Sequence, residues 1–217
     1  MEAIIISDLH LGAKNSNTEA IQVFLDSISK HQKLILNGDV LDSIEAPLNK
    51  KHWKILLRLS KFRDLIWIKG NHDKGCKHIA ELINVTEIVD EYVFESNSKK
   101  ICCIHGDSWD DFLIKYPVIV DVADWIYSKL QNIDSRLAKI AKKQSKTYVR
   151  CLEKIKQGAL SYAKSKNYDI IICGHTHHPE YGYEYVNSGC WTDRICTYVS
   201  VQDGACELHN IDSANYR

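Results

Sequence analysis

Five short apolar runs, at 3–7, 33–36, 65–69, 101–104 and 169–173, each end in a polar cluster of Asp, His, Asn or Gly. Rich in Ile, Leu and Val and too short for helices, the runs predict buried strands. The clusters are Ser7-Asp8-Leu9-His10, Asn37-Gly38-Asp39-Val40-Leu41-Asp42, Gly70-Asn71-His72-Asp73, His105-Gly106-Asp107 and Gly174-His175-Thr176-His177. Loops at the carboxyl ends of strands in an α/β sheet converge on one crevice, so clusters spread along the sequence can meet in space. Between the first two runs, Ile21, Phe24, Leu25 and Ile28 have helical spacing behind Asn17-Thr18 as a cap. Between the next two, Trp53, Leu56 and Leu57 mark a second helix. Strand and helix in alternation predict a layered α/β (α+β) fold. Segments 181–187, 194–201 and 204–210, separated by Asn187-Ser188-Gly189 and Asp203-Gly204, predict antiparallel strands joined by turns. A β-sandwich of two sheets flanked by helices accommodates both halves.

A length of 217 residues with 45% hydrophobic content predicts one domain, 1–217, with an insertion at about 112–166. That insertion has helical spacing at Ile119, Val122, Ala123, Ile126 and Leu130, and reads as a lid. It carries 12 Lys and Arg against 4 Asp and Glu, in a chain whose 28 basic and 28 acidic residues cancel. No global field therefore recruits a polyanion, and no nucleic-acid partner is expected. The first apolar run begins just after Met1, without a basic leader, and no apolar stretch of about 18 residues occurs, so a cytoplasmic protein is expected. Of eight cysteines, several lie within strand-like runs and none forms C-x-x-C, so reduced core thiols are expected rather than disulfides or a zinc ribbon.

Carboxylates, imidazoles and one amide oxygen form a mixed O/N donor set that suits Mn, Fe, Zn or Co better than Ca or Mg. Two such ions about 3.5–4 Å apart can clamp an attacking water and a phosphoryl oxygen when a carboxylate bridges them. Asp39 is the candidate bridge. In Asp8-x-His10 and His175-x-His177, alternation along an extended chain end would turn both members of each pair to one side. Asp42 is expected to support its loop by hydrogen bonding, His178 to face solvent or lie behind the ligands, and Asp107 and Asp110 are weaker candidates for binding substrate hydroxyls.

The ordered series Asp-x-His, Gly-Asp-x-x-Asp, Gly-Asn-His-Asp, His and Gly-His-x-His, spanning residues 8 to 177, resembles the motif series of the calcineurin-like metallophosphoesterases. The resemblance implies a helix-flanked β-sandwich that hydrolyses phosphoesters with two divalent metal ions. One metal would be held by Asp8, His10, Asp39 and His177, the other by Asp39, Asn71, His105 and His175. His72 would touch the substrate phosphate or leaving oxygen, with Asp73 orienting its ring. A lid placed before Gly174-His175-Thr176-His177, followed by Tyr185-Val186-Asn187-Ser188-Gly189-Cys190-Trp191, is similar to the UDP-2,3-diacylglucosamine pyrophosphohydrolase group. The chain departs from that group at His72, where its better-known members carry arginine. On this reading Lys139, Lys142, Lys143 and Lys146 form one stripe addressing a diphosphate, and Val118, Ile119, Val122, Trp125, Ile126 and Leu130 line a hydrocarbon chamber. The alternative for the lid is a helix packed on the core with a solvated charged face. The alternative for the enzyme is a general phosphodiesterase or phosphatase acting on soluble nucleotides or other small phosphoesters. A non-catalytic scaffold is a further rival, against which the intact ligand set speaks. Trp125 and the basic stripe allow peripheral contact with the inner membrane face; oligomeric state is not legible.

Overall fold

The first apolar run forms strand β1 (Ala3–Ile6), whose alternate side chains enter two different cores. In this computed structural model, which describes residues 2–110 and 146–216, β1 is followed by α1 (Thr18–Ser27), β2 (Lys33–Asn37), α2 (Lys50–Leu59) and β3 (Asp64–Ile68). Then come α3 (Lys77–Leu82), β4 (Glu87–Val89), β5 (Glu91–Ser96), β6 (Lys99–Ile104) and α4 (Lys146–Lys166). The chain closes with β7 (Ile170–Cys173), β8 (Glu180–Tyr181), β9 (Tyr185–Asn187), β10 (Ile195–Gln202) and β11 (Ala205–Asp212).

One sheet has the order β11-β10-β1-β2-β3-β4 and the other β5-β6-β7-β9-β8. Strands β1 to β4 run parallel, as the helical crossovers require, and β10 closes on β1 antiparallel. In the second sheet β6, β7 and β9 are parallel, with β5 and β8 antiparallel at its two edges. Ile4 and Ile6 of β1 pack with Ile21 and Leu25 of α1 and Ile55 and Leu59 of α2, whereas Ala3 and Ile5 join Ile101, Cys103, Ile170 and Ile172 between the sheets. On the far side of the second sheet, Cys102, Ile171 and Cys173 meet Ala159 and Ala163 of α4. The layers are thus helix, sheet, sheet, helix. The central strands of each sheet are buried on both faces, which is why they read as continuous apolar runs.

All five predicted strands form. The carboxyl-terminal group differs from the expected run of antiparallel strands: segment 181–187 divides into the antiparallel pair β8 and β9, β9 also pairs parallel with β7, and the β10–β11 hairpin lies in the other sheet. Asp203 and Gly204, at φ 52° and 74°, supply the two left-handed residues of its turn. Trp53 and Leu57, expected on the buried face of α2, are 40% and 62% exposed; His52, Ile55, Leu56 and Leu59 face the sheet instead. Strands β4 and β5, with their few buried side chains, lacked the apolar signal and went unpredicted. Of the lid at 112–166, residues up to 145 lie outside the described ones and α4 forms the remainder. The eight cysteines are free, seven of them buried, and burial pushes the Cys102 thiol up to about 12. Among the described residues no helix is long and apolar enough to cross a membrane.

The two helix starts are secured differently. At α1 the Asn17 side chain makes no cap; its amide donates to the Asp193 carbonyl at 2.6 Å, tying the helix to the carboxyl-terminal loop. At α2 the Asn49 side chain accepts from Lys51 N and His52 N, and His52 Nδ1 accepts from Asn49 N at 3.2 Å. This is a capping box in which histidine replaces the usual Glu or Gln. Burial holds the His52 pKa below its ordinary 6.5, and acceptance at Nδ1 requires the unprotonated nitrogen. Its contribution is therefore present above pH 6.5 and lost as pH falls through the depressed folded value. Asn49→Ala should cost about 1 kcal/mol in urea unfolding at pH 7.5, and His52→Gln should flatten the decline in stability below pH 6.5; an unchanged decline would remove His52 from the cap.

Candidate metal centre

The carboxyl ends of β1, β2 and β3 in one sheet and of β6 and β7 in the other deliver their polar clusters to one edge of the sandwich. Asp8 and Asp39 are almost wholly buried there, and among the described residues neither is paired with Lys or Arg. Histidines surround them. His177 Nε2 lies 3.1 Å from Asp8 Oδ1, and His105 Nε2 lies 3.2 Å from Asp39 Oδ2. His10 Nε2 is 3.8 Å from Asp39 Oδ2, 3.9 Å from Asp8 Oδ1 and 3.1 Å from His177 Nε2. Three overlapping groups result, each with ligand atoms mutually within 4.8 Å: Asp8, His10 and His177; His10, Asp39 and His72; and Asp39, His105 and His175.

The local backbone differs from expectation. Asp8, His10, Asp39, His175 and His177 all have positive φ, between 45° and 64°. The paired residues are turned inward by left-handed backbone, not by extended alternation. Asp and His tolerate this region better than branched residues do, and strained positions of this kind concentrate at functional sites. Glycines give the room. A Cβ on Gly38, itself at φ 87°, would meet His105 Nδ1 at 2.2 Å, and one on Gly70 would meet Asp39 Oδ1 at 2.2 Å.

Ring orientations are set from behind. His10 Nδ1 is 3.2 Å from Asp42 Oδ1, His105 Nδ1 is 2.9 Å from the Asn37 carbonyl, and His175 Nε2 is 3.0 Å from Asp110 Oδ2. Asp42, expected to support its own loop, has its carboxylate against the His10 ring of the first loop instead. Asp110, read from sequence only as a weak hydroxyl binder, is a partner of His175; Asp107 opens a 3-10 turn, half-buried. No spacing rule signals either placement. Tyr148 of α4 donates to the Thr176 carbonyl at 3.0 Å, pinning that helix to the His175–His177 loop, and was also missed. Lys139, Lys142 and Lys143 lie outside the described residues, and Lys146 is the first residue of α4.

Asp73 does not orient His72. Its buried carboxylate accepts from Leu41 N at 3.1 Å through Oδ1, and from Trp67 Nε1 and Gly70 N, both at 3.1 Å, through Oδ2. The His72 ring is held by Nδ1 donating to the Asp42 carbonyl at 2.6 Å, and its backbone N–H donates to Asp39 Oδ1 at 2.9 Å. Asp73 is a brace between the Asp39 and Asn71 loops. The burial that permits this, together with nearby Asp39, raises its pKa.

Electrostatics identify what the edge lacks. Burial alone would raise the Asp39 pKa, but His105, then His10 and His72, hold it well below the usual carboxylate range. Burial would likewise lower the His105 pKa, yet Asp39, and behind it Asp8, push it up to about 10. Buried anions here draw positive charge from any group able to carry it. Seven buried side-chain N or O atoms have no hydrogen-bond partner among the described residues. Three, Asp8 Oδ1, Asn71 Oδ1 and His105 Nε2, are on candidate ligands, the first and last meeting only the ion-pair approaches of His177 and Asp39 without hydrogen-bond geometry, and two more, on Asn37 and His178, lie beside candidate ligands. Such orphaned atoms are costly unless a cation completes them, and O/N donors fit divalent transition metals. The residues present fit a metal pair.

Asp73→Ala should therefore lower stability by about 3 kcal/mol, because three buried donors lose their acceptor. Urea unfolding checks this. A variant as stable as wild type but slower in catalysis would return Asp73 to the role of orienting His72.

Comparison with known proteins agrees with this geometry. The calcineurin-like phosphoesterase family profile matches residues 1–179. A UDP-2,3-diacylglucosamine hydrolase of Coxiella burnetii (strain RSA 331 / Henzerling II) is 25% identical over 235 residues, covering 94% of this chain and 96% of that protein. Among solved structures, a novel archaeal phosphodiesterase is 19% identical with a TM-score of 0.52, covering 97% of this chain and 100% of its own. Vps29 of Chaetomium thermophilum is 12% identical with a TM-score of 0.52, covering 96% of each chain. At such identities these two structures speak for the fold. With the profile covering most of the chain and the donor residues gathered at one edge, the chain belongs to the calcineurin-like phosphoesterase family and is a metal-dependent phosphoester hydrolase.

Proposed function

We propose that the chain uses two divalent transition-metal ions, manganese first among them, to hydrolyse the diphosphate of a UDP-2,3-diacylglucosamine-like substrate. The observation that carries the substrate reading is the near end-to-end match to the Coxiella burnetii hydrolase. The two-ion reading rests on Asp39, which belongs to both a His10 group and a His105 group. Asp8, His10, Asp39 and His177 would hold one ion, and Asp39, Asn71, His105 and His175 the other. When bound, the pair supplies an acidified water and neutralises charge on the phosphate.

The chain's own residues then have definite tasks. Asp42 sets the His10 ring through its carboxylate and the His72 ring through its carbonyl. A carbonyl only accepts, so His72 Nδ1 carries a hydrogen. Donation to a leaving oxygen from Nε2 then requires the ring to be imidazolium. The basic residues Lys139, Lys142, Lys143 and Lys146 would serve the diphosphate, with Asp107 near the sugar hydroxyls.

Manganese-dependent release of UMP from UDP-2,3-diacylglucosamine, measured beside hydrolysis of bis-p-nitrophenyl phosphate, tests the substrate. Asp39→Ala should lose metal and activity together, whereas His72→Ala should keep both metals and lose about 10²- to 10⁴-fold in rate. Equal metal loss in both variants would end this division of labour, and hydrolysis of the aryl ester alone would favour soluble phosphoesters. Loading should also depend on pH. His105 holds its proton up to about 10 when only Asp39 and Asp8 compensate it, so metal must displace that proton. Affinity for manganese should rise about tenfold per pH unit for each proton displaced, read from titrations between pH 6 and 8; a flat profile would show that no proton leaves.

A further inference from the structure

Helix α2 presents a face that neither the core nor the metal centre uses. Lys50, Trp53, Lys54 and Leu57, at positions i, i+3, i+4 and i+7, share one outward stripe, and Lys61 follows just past the helix end. Trp53 is 40% exposed and Leu57 is 62% exposed. Their neighbours on the helix are basic, and its sequence, KKHWKILLRL, contains no acid. Two acids of α1 face this helix, and both are already engaged: Glu19 by Lys51 and Asp26 by Arg58. Lys50, Lys54 and Lys61 make no ion pair among the described residues. Among the described residues the positive charge of the stripe is thus uncompensated, and it frames an aromatic and an aliphatic side chain. Leu82 of α3 and Val23 of α1, also exposed aliphatics of this helical layer, lie beside Glu81 and between Glu19 and Asp26 respectively and lack that setting.

We propose that this face of α2 docks the protein on an anionic lipid surface. Tryptophan at the headgroup level, leucine beside it and lysines toward anionic headgroups form the arrangement by which an amphipathic helix lies in an interface without crossing it. The buried half of α2 is fixed to the sheet by Ile55, Leu56 and Leu59, so the stripe is presented by a rigid element. Placement adds a consequence. Helix α2 begins at Lys50, on the segment that leaves the Asp39–Asp42 loop, so its amino-terminal end lies on the same edge of the sandwich as the metal centre. A docked protein would bring that edge to the lipid surface. The inference stands on α2 and does not depend on which phosphoester is cleaved.

The test is co-flotation of the full chain with phosphatidylcholine vesicles and with vesicles of phosphatidylcholine mixed with phosphatidylglycerol. Binding is expected only to the mixed vesicles and should weaken as salt rises. Lys50→Glu with Lys54→Glu should weaken it at least about 25-fold, each lysine being worth about fivefold. Trp53→Ser with Leu57→Ser should reduce it about tenfold or more. Both double variants should hydrolyse a soluble aryl phosphodiester at the wild-type rate, which shows that they are folded. Failure of the wild-type chain to bind the mixed vesicles at low salt would overturn the proposal. So would binding by both variants as strong as that of the wild-type chain, which would place the contact elsewhere, or self-association abolished by Trp53→Ser with Leu57→Ser, which would make the stripe an interface between copies. If vesicle binding follows the expected pattern while UDP-2,3-diacylglucosamine is not cleaved, the surface stands and the substrate reading falls.

Discussion

Two carboxylates buried at strand ends, with no lysine or arginine beside them among the described residues, set the terms for the rest of this molecule. Asp8 and Asp39 lie where water cannot solvate them, and a buried charge without a partner is among the most destabilising features a fold can carry. Everything around them answers that problem. Histidines approach both oxygens, backbone N–H groups of His72 and His175 donate to Asp39 and Asp8, and glycines keep space open for the contacts. None of these supplies a full compensating charge while remaining a neutral imidazole. Divalent metal held by these donors would, and it would free His105 from holding a proton.

The same edge concentrates backbone strain. Five candidate ligands occupy the left-handed region, each at a cost of about 1–3 kcal/mol for a residue other than glycine. A strand end with ordinary backbone would carry its side chains past the edge or back into a sheet face. The left-handed turn aims them at a common point. The cores on either side of the sheets tolerate this expense because each strand leading to the edge is buried on both faces, so its position is over-determined before the chain turns. Asp73 shows the same logic on a smaller scale: one carboxylate locks Leu41, Gly70 and Trp67 together, so that two loops share a single support.

Much of this was legible in the sequence because the constraint is written at each strand end. The apolar runs located β1, β2, β3, β6 and β7, and the polar residues after them named the side chains that do gather. What escaped was information carried by partners instead of by pattern. Asp110 reaches His175 only because the turn after β6 folds back, and Tyr148 reaches Thr176 only because α4 crosses the second sheet. Asp73 was misassigned by adjacency, since residues next to each other in a turn point apart. Trp53 and Leu57 were misassigned by hydrophobicity alone: His52, polar and buried, holds the inward position through the cap of α2, and that rotation sends the tryptophan outward.

The centre has one more structural consequence, which follows from where its donors originate. Asp8, His10, Asp39 and Asn71 come from strands of the first sheet, while His105, His175 and His177 come from the second. Without a cation the sheets are joined at this edge by apolar packing farther in and by a few polar stitches, such as the Asn37 amide donating to the Ile172 carbonyl at 3.1 Å and His105 Nδ1 meeting the Asn37 carbonyl. Ions bound by donors from both sheets would act as clasps across the sandwich. Binding free energy then adds directly to folding free energy, because the unfolded chain brings none of these donors together. The edge that carries strain and buried carboxylates is therefore also the edge that bound metal would stabilise most, so that catalytic loading and structural integrity would be two readings of the same contacts.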